Sequence, residues 1–392
     1  MSNASTVKKR NTLRILRALR QQDHATKTDL VKMTGLNQST VNNLMNELSE
    51  KGVITEEGIA DSNGGRRASL FSLNADCCFI IAIDIGDTFI TGSVFNFNLR
   101  EITGIHQEFV LRNHSVEDGL EKINTIIQEC ISNSGLTCDK FAGIGISVSG
   151  PVDFANGKIY KITDAPKWRN IPLAGMIKQN FDLETFIDKD NNAAVLYYKL
   201  FTRHKKDASL VFLSTQKGIG TGFLLDGNVY RGRHCQAGEI GHIQAVSSGE
   251  LCKCGKIGCI EPLASNPGIV NFYLKKCKNK NEPITLSDVI KRSQQGDTHA
   301  LTVLKNAADN LAVVIGNIIK TYDPDEIILD VVWLRECSDL YKDLVNNVYE
   351  DNEFIDRDIM KITLSTKDEI LLYGAASLVI DHSFDSYDSM LL

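Results

Sequence analysis

The sequence predicts an α/β protein in which a small helical segment precedes a large body of alternating strands and helices. Three observations support this fold class. Apolar residues recur at helical spacing between residues 9 and 48, strand-like and helix-like segments alternate from residue 79 onward, and one histidine with three cysteines is grouped between residues 242 and 259. Alternation of the two element types is typical of α/β domains. The compact group of imidazole and thiol side chains indicates a metal site.

Length and composition bound the class of protein. A chain of 392 residues with 43% hydrophobic and 23% charged residues is typical of two or three ordinary globular domains. No stretch approaches the roughly 20 consecutive apolar residues of a membrane span, and residues 1–5 lack the apolar core of a signal peptide. The ten cysteines form no regular disulfide framework. We therefore expect a cytoplasmic protein without disulfides and without a membrane partner.

Charge is distributed unevenly along the chain. Residues 1–75 contain eleven Lys and Arg against seven Asp and Glu, a net of +4, so the remainder must carry −10 to reach the total of −6. A basic head on an acidic body indicates that only the head meets a polyanion such as DNA.

The head is predicted to contain three helices. The first spans residues 9–21, and the second is capped by Thr26 and ends at Gly35, which suits a left-handed position. The third begins after the N-cap Asn37. Its inward face is apolar at i, i+3, i+4 and i+7, namely at Val41, Leu44, Met45 and Leu48. Its outward face carries short polar side chains, namely Gln38, Ser39, Thr40, Asn42 and Asn43.

The outward face of the third helix resembles a DNA-reading surface. Short donors and acceptors of this kind read base edges in the major groove, and two helices joined by a short turn form the helix-turn-helix pattern. Residues 53–55 and 70–73 then predict a two-stranded wing, in which Arg66 and Arg67 touch phosphate or the minor groove. Residues 1–75 are therefore interpreted as a winged helix-turn-helix domain. The alternative is a three-helix protein-interaction domain with a solvated polar face.

The body begins with a buried strand at residues 79–86 that ends in a turn, followed by a second strand at 89–97. A long amphipathic helix is expected at 115–134, and another buried strand at 141–148. A glycine-rich segment follows at 218–222. A strand-turn-strand unit with an acid at its tip, repeated across two lobes, resembles the actin and hexokinase type of ATPase fold.

Two lobes are therefore expected after the head. The first lobe is placed at residues 76–189 and is completed by a C-terminal helix at 367–392. The second, larger lobe is placed at 190–366 and contains the metal site and the effector pocket.

The metal site is predicted from one histidine and three thiols in a short stretch. Its four ligands are His242, Cys252, Cys254 and Cys259. This set matches a closed, structural Cys₃His site for tetrahedral Zn²⁺, and Gly255 and Gly258 allow the chain to turn around the ion. Glu239 and Glu261 bracket the motif. The alternative is a set of scattered reduced cysteines.

Several motifs resemble the repressor branch of the ROK family of repressors and sugar kinases. They are GIGISVSGPVD at 143–153, WRNIPL at 168–173, DKDNNAA at 188–194, GEIGH at 238–242 and CKCGKIGCIE at 252–261. The resemblance runs from the head to near the C-terminus.

The resemblance implies an effector site for a carbohydrate. In the kinases of the family, an acid that corresponds to Asp190 takes the proton from the attacked sugar hydroxyl. Glu239, His242 and Glu261 correspond to groups that grip sugar hydroxyls, and His242 also binds zinc. Gly150 and Lys189 complete the expected set. Ionised carboxylate oxygens suit this role because they accept hydrogen bonds from sugar hydroxyls. Outside such a motif, a lone Asp or Glu would be interpreted as a surface carboxylate.

Three departures from the kinase pattern argue against phosphoryl transfer, which depends on positioning phosphates and cancelling their charge. Where kinases of the family have Asp-x-Gly-Gly-Thr and a basic residue, Gly86 is followed by Asp87, and Phe89 stands in the basic position. The second phosphate loop is altered at three positions, Gln216, Lys217 and Thr221. Asp330 and Val331 replace a glycine pair after the late strand. We therefore expect no catalytic residues, although Asp190 matches the general base.

Lys189 is a departure on the sugar side, because it replaces an Asn of the family pattern. An ammonium here favours an anionic effector such as a sugar phosphate or sugar acid. Alternatively, Lys189 only pairs with Asp188 or Asp190, and exposed pairs of this kind contribute little.

The sequence as a whole indicates a repressor that binds palindromic operator DNA as a homodimer or tetramer and responds to a small carbohydrate or sugar-phosphate effector. One rival is a sugar kinase that also binds DNA. A second rival is a repressor controlled by a protein partner, with a vestigial sugar pocket.

Overall fold

The computed structural model describes residues 3–59, 68–86, 88–162, 164–202, 204, 207–247, 249–277, 283–352 and 355–386. The chain divides into two compact units, the first formed by residues 1–203 and 369–392 and the second by residues 204–368. Among the described residues, no helix combines the length and the hydrophobicity needed to span a bilayer.

The described residues of the head form three helices and a two-stranded sheet. These are α1 (Asn3–Gln22), α2 (Lys27–Thr34), α3 (Gln38–Glu50), β1 (Ile54–Ile59) and β2 (Ser69–Leu73). The strands of the body are β3 (Phe79–Ile85), β4 (Phe89–Asn96), β5 (Glu101–Glu108), β6 (Phe141–Val148), β7 (Val152–Asp153), β8 (Lys158–Ile162), β9 (Ala165–Ile171), β10 (Thr185–Lys189), β11 (Leu210–Ser214), β12 (Gly220–Leu225), β13 (Asn228–Val229), β14 (Glu326–Asp330) and β15 (Lys361–Leu364). Its helices are α4 (Val116–Ser134), α5 (Leu173–Phe181), α6 (Asp190–Phe201), α7 (Glu261–Ala264), α8 (Asn266–Cys277), α9 (Leu286–Gln294), α10 (Thr298–Tyr322), α11 (Val332–Glu336), α12 (Ser338–Glu350) and α13 (Ile370–Ser386).

The helix boundaries of the head follow from its capping residues. Thr26 and Asp29 form the capping box that starts α2, and Gly35 ends this helix at φ 65°. The Asn37 side chain accepts a hydrogen bond from the Thr40 N–H at the start of α3. The antiparallel pair β1 and β2 confirms the predicted wing. Arg66 and Arg67 lie outside the described residues.

The main sheet of the first unit has the order β10-β6-β3-β4-β5. Strands β3, β6 and β10 are parallel, and the register aligns Asp84, Ser147 and Asp188 at their carboxyl ends. Ser147 Oγ donates to Asp84 Oδ1 over 2.6 Å. In open α/β sheets, ligands bind beyond the carboxyl ends of the strands, so this edge is where a site is expected.

Helices α6 and α13 pack so closely that their backbones are in contact at Gly374 and Ala193. A Cβ atom on Gly374 would lie 2.6 Å from the carbonyl carbon of Ala193, so only glycine permits this approach. Lys199 Nζ and Asp381 Oδ1 form an ion pair over 3.0 Å near the C-terminal end of α6. This packing keeps α6 in the first unit, and the division therefore differs from the sequence-based boundary between residues 189 and 190.

The second unit is built on a sheet of order β13-β12-β11-β14-β15. Strands β11, β14 and β15 are parallel, and the register places Ser214 beside Asp330. Helix α10 buries apolar residues along its length, including Leu304, Leu311 and Ile315. Its apolar face therefore belongs to the core of this unit.

Candidate functional site

The outward face of α3 is open to solvent. Of the five predicted residues, three are exposed, namely Gln38, Ser39 and Asn43. The other two, Thr40 and Asn42, are half-buried. Gln38 Nε2 donates to Asn42 Oδ1 over 3.1 Å, which aligns two amides along the helix. Lys27 Nζ donates to Asn46 Oδ1 over 3.0 Å and places a cation beside this face. The face can therefore offer amide and hydroxyl groups to bases and a cation to phosphate.

Asp190 is the first residue of α6 and directly follows β10. Ser149 Oγ donates to Asp190 Oδ2 over 3.0 Å, while Oδ1 accepts the Asn191 N–H over 2.7 Å. Gly150 has φ 152°, and a Cβ atom there would lie 2.3 Å from the Lys161 carbonyl oxygen. Only glycine suits this turn, which holds Ser149 against the carboxylate.

Lys189 and Asp188 occupy the last positions of β10 and are almost completely buried, at 5% and 1% exposure. Asp188 Oδ1 accepts the Lys189 N–H over 2.7 Å and Asn192 Nδ2 over 3.0 Å. The Asp188 carboxylate therefore fixes the turn from β10 into α6. Buried cations interact more strongly with anions than exposed ones, so the Lys189 side chain can contribute to ligand selectivity.

Asn191 was not singled out from the sequence. Its side chain is 6% exposed, and its Nδ2 donates to Asp190 Oδ1 over 2.9 Å. Its Oδ1 is buried and accepts no hydrogen bond from the described part of the chain. A buried acceptor without a donor is costly, and a hydroxyl of a bound molecule could satisfy it.

The four predicted metal ligands lie together in the second unit. They are His242, Cys252, Cys254 and Cys259, and their ligand atoms all lie within 4.8 Å of one another. Two sulfurs on one tetrahedral Zn²⁺ stand about 3.8 Å apart, and a nitrogen stands about 3.6 Å from a sulfur. The Cys254 and Cys259 sulfurs are 3.6 Å apart, and Cys252 Sγ lies 3.5 Å from His242 Nδ1. These distances fit one small tetrahedral ion.

The chain around the four ligands turns at glycines. Gly255 and Gly258 have φ of 87° and 88°, and a Cβ atom on Gly258 would lie 2.0 Å from the Val246 carbonyl oxygen. Burial raises the pKa of the Cys252 thiol to about 12. A thiol of this kind needs a nearby cation to ionise, which a bound metal would supply. In the donor set, Cys252 and Cys259 are buried, His242 is half-buried and Cys254 is exposed.

Glu261 stands at the start of α7, two residues after the last cysteine. It is 8% exposed, and its Oε2 accepts the Ile219 N–H over 3.3 Å. Lys253 Nζ lies 3.8 Å from Oε1. A Cβ atom on Gly218 would lie 2.4 Å from Oε2, so a side chain at residue 218 would displace this carboxylate. Glu239, in contrast, is exposed and precedes the 3₁₀ turn Ile240–His242.

The carboxyl ends of β11 and β14 carry a hydrogen-bonded cluster around Asp330, which is 1% exposed. Its Oδ2 accepts Gln216 Nε2 over 2.7 Å and Ser214 Oγ over 3.0 Å. Its Oδ1 pairs with Arg335 Nη2 over 2.8 Å. Burial raises the pKa of Asp330, while Ser214, Arg335 and Gln216 oppose this shift. We call these four residues the Asp330 cluster.

Residues from two of the three departures expected from the sequence are joined in the Asp330 cluster. They are Gln216 and Asp330, which are hydrogen-bonded to each other. Arg335 was missed from the sequence, because nothing local links it to Gln216. At the first departure, Phe89 is 41% exposed at the start of β4, and Asp87 lies outside the described residues.

Comparisons with known proteins agree with this architecture. The ROK family matches residues 80–382, and a winged helix-turn-helix DNA-binding family matches residues 8–55. The xylose repressor of Caldicellulosiruptor bescii is 29% identical over 99% of this chain and 100% of its own length.

Two solved structures share the fold. A ROK family transcriptional regulator, a homolog of the E. coli MLC protein, superposes with a TM-score of 0.82 at 23% identity and covers 98% of both chains. A ROK family glucokinase from Streptomyces griseus, in complex with glucose and AMPPNP, gives a TM-score of 0.66 at 22% identity, covering 77% of this chain and 99% of its own. The chain therefore belongs to the ROK family and carries a winged helix-turn-helix domain ahead of the family body.

Proposed function

We propose that this protein is a sugar-responsive transcriptional repressor that binds palindromic operator DNA and is released by a carbohydrate or sugar-phosphate effector. One observation carries the proposal: a winged helix-turn-helix with an open polar face on α3 precedes a ROK family body, residues 80–382, in the same chain. The xylose repressor that matches over nearly the whole chain supports the same function.

The head is suited to sequence-specific reading. Neutral amides and hydroxyls such as Gln38 and Asn43 discriminate bases, whereas cations such as Lys27 hold the phosphate backbone. A homodimer or tetramer would present recognition helices in pairs, about 34 Å apart or a multiple of that distance. A palindromic operator follows from two-fold symmetry.

The effector is proposed to be a carbohydrate because Asp190 and Glu261, two of the retained polar groups, are carboxylates that can accept hydrogen bonds from hydroxyls. Both carboxylates are fixed by backbone N–H or hydroxyl donors. Gly150, Lys189, Glu239 and His242 complete the proposed set. The unsatisfied Asn191 Oδ1 supports a hydroxyl donor beside Asp190.

Zn²⁺ is the proposed metal, held by His242 and the three cysteines. A closed Cys₃His set leaves no open coordination position and is typical of structural zinc. The ion would hold the segment that contains His242 and leads into Glu261, and so keep both side chains in place for the effector.

The Asp330 cluster supports a protein without kinase activity. Catalysis of phosphoryl transfer requires donors and cations that face the phosphates. Gln216 and Arg335 instead direct these groups at Asp330, and the Ile219 N–H is directed at Glu261.

A sugar kinase is the second candidate, and the retained Asp190 with its Ser149 partner favours it. A panel of hexoses, pentoses, amino sugars and their phosphates separates the two functions. The repressor account expects at least one sugar to raise the thermal midpoint, since a ligand at about 100 times its Kd adds about 2.7 kcal/mol of stability. It also expects no ADP release from ATP and Mg²⁺ above that of an Asp190→Asn variant. ADP release that disappears in Asp190→Asn would show a kinase.

Lys189→Asn tests the charge preference of the effector site. If the buried ammonium binds an anionic group, the variant is expected to lose about tenfold in affinity for a sugar phosphate, roughly 1.4 kcal/mol, and little for the neutral sugar. Isothermal titration calorimetry with both ligands measures the ratio. An unchanged ratio would remove the anionic effector and leave the neutral sugar.

A further inference from the structure

The first helix of the head extends into the body, and Arg20 near its C-terminal end is the point of contact. The Arg20 Cζ atom lies 4.3 Å from the centre of the Phe97 ring and 4.7 Å from the centre of the Phe201 ring. Its Nη2 donates to the Phe97 carbonyl oxygen over 3.0 Å. The guanidinium therefore makes close cation–π contacts with two aromatic rings, and a planar guanidinium can stack on aromatic faces in a way that a Lys ammonium cannot.

Arg20 as a whole residue is half-buried, but its guanidinium is desolvated. Its Nε atom is buried, and desolvation lowers the pKa of Arg20 to about 10. The side chain therefore stays charged at neutral pH. A buried charge costs free energy, and such groups can fix one arrangement of the elements around them. Here those elements are α1 of the head and the end of α6 in the body.

Helix α6 connects this contact to the effector residue. It begins at Asp190, whose carboxylate accepts Ser149 Oγ, and ends at Phe201. Twelve residues of α-helix span about 18 Å. The close approach of Gly374 to Ala193 and the Lys199 ion pair attach α6 along its length to α13. Asp190 and Phe201 are therefore the two ends of one packed helix.

Helix α1 connects the same contact to the DNA-binding face. Ile15, Leu16 and Leu19 are completely or almost completely buried and belong to one apolar cluster that continues from the head into the body. That cluster includes Leu44 of α3. Arg20 is therefore connected to α3 through the buried face of α1.

We propose that Arg20 is a positioning residue that couples the state of the effector site at Asp190 to the DNA-binding head, through α6 and the Phe201 ring. This inference rests on the proposed repressor function. Coupling of this kind is reciprocal for binding free energies, so DNA bound at α3 also acts on the effector site.

A double-mutant cycle on DNA affinity tests the coupling. The probe is a duplex selected by the full-length protein from a random-sequence pool, and affinity is measured by fluorescence anisotropy for the wild type, Asp190→Asn, Arg20→Met and the double variant. Sites more than about 10 Å apart without shared partners are additive within about twofold. The expected result is an Asp190→Asn effect on DNA affinity of at least fivefold, shrinking to less than twofold in the Arg20→Met background.

Additional variants separate coupling from simple loss of folding. Phe201→Leu leaves the cation in place but removes one ring, and it is expected to reduce the Asp190→Asn effect as Arg20→Met does. Gln21→Ala, at the exposed neighbouring position, is expected to leave the effect unchanged. Equal Asp190→Asn effects in all backgrounds, including no effect in any of them, would overturn the coupling. Failure of the wild type to select any DNA would instead overturn the repressor function.

Discussion

Cys252→Ser is expected to abolish metal binding and to destabilise the second unit. Cys252 is 2% exposed and lies beside His242, so serine leaves the ion with three ligands and a buried hydroxyl in the fourth place. Metal binding contributes directly to folding free energy, and structural zinc supplies roughly 10 kcal/mol or more in small peptides. Zinc content by mass spectrometry should fall from about one ion per chain to near zero. The thermal unfolding midpoint should fall by several degrees.

Cys138→Ser provides the matched control, because Cys138 is exposed and belongs to the first unit, whereas the four ligands belong to the second. It is expected to retain the zinc and the wild-type midpoint. Treatment of the wild type with a chelator should reproduce the Cys252→Ser profile. If Cys252→Ser keeps its full zinc content and its unfolding midpoint, the zinc is bound elsewhere. His242 and the three cysteines would then hold no structural ion.

Gln38→Ala and Asn43→Ala are expected to weaken operator binding by about 5- to 150-fold each. Both side chains are exposed on α3, and the loss of one good base contact costs about 1–3 kcal/mol. Because these residues are neutral, affinity for non-specific DNA and its salt dependence should change little. Fluorescence anisotropy with the selected duplex and with a scrambled one separates the two effects.

Ser49→Ala serves as the control for α3, since Ser49 is exposed near the C-terminal end of the helix and outside the predicted reading face. It should bind as the wild type does. Equal losses on selected and scrambled DNA, or no loss on either, would show that the face of α3 does not read sequence. The protein-interaction alternative for the head would then be preferred.

The features that follow from local sequence were predicted well. Thr26, Gly35 and Asn37 act through hydrogen bonds and backbone angles within a few residues, so the second and third helices of the head follow from them. The histidine and thiols of the metal motif are close in sequence, and a short loop that turns at Gly255 and Gly258 brings them together.

Features that depend on distant residues could not be predicted. Helix α6 belongs to the first unit because Ala193 meets Gly374, which no local pattern shows. The contact between Arg20 and Phe201 joins two helices far apart in the chain. Arg335 likewise completes the Asp330 cluster only after the sheet of the second unit has formed.

The most direct test of the account is the affinity of the full-length protein for its selected duplex as the stabilising sugar is added, with and without ATP and Mg²⁺. The expected result is a loss of DNA affinity of at least fivefold that begins near the sugar Kd measured without DNA and is complete several-fold above it, with no influence of nucleotide. Tight DNA binding that no sugar in the panel alters, or release that requires ATP turnover, would contradict a sugar-responsive repressor without kinase activity.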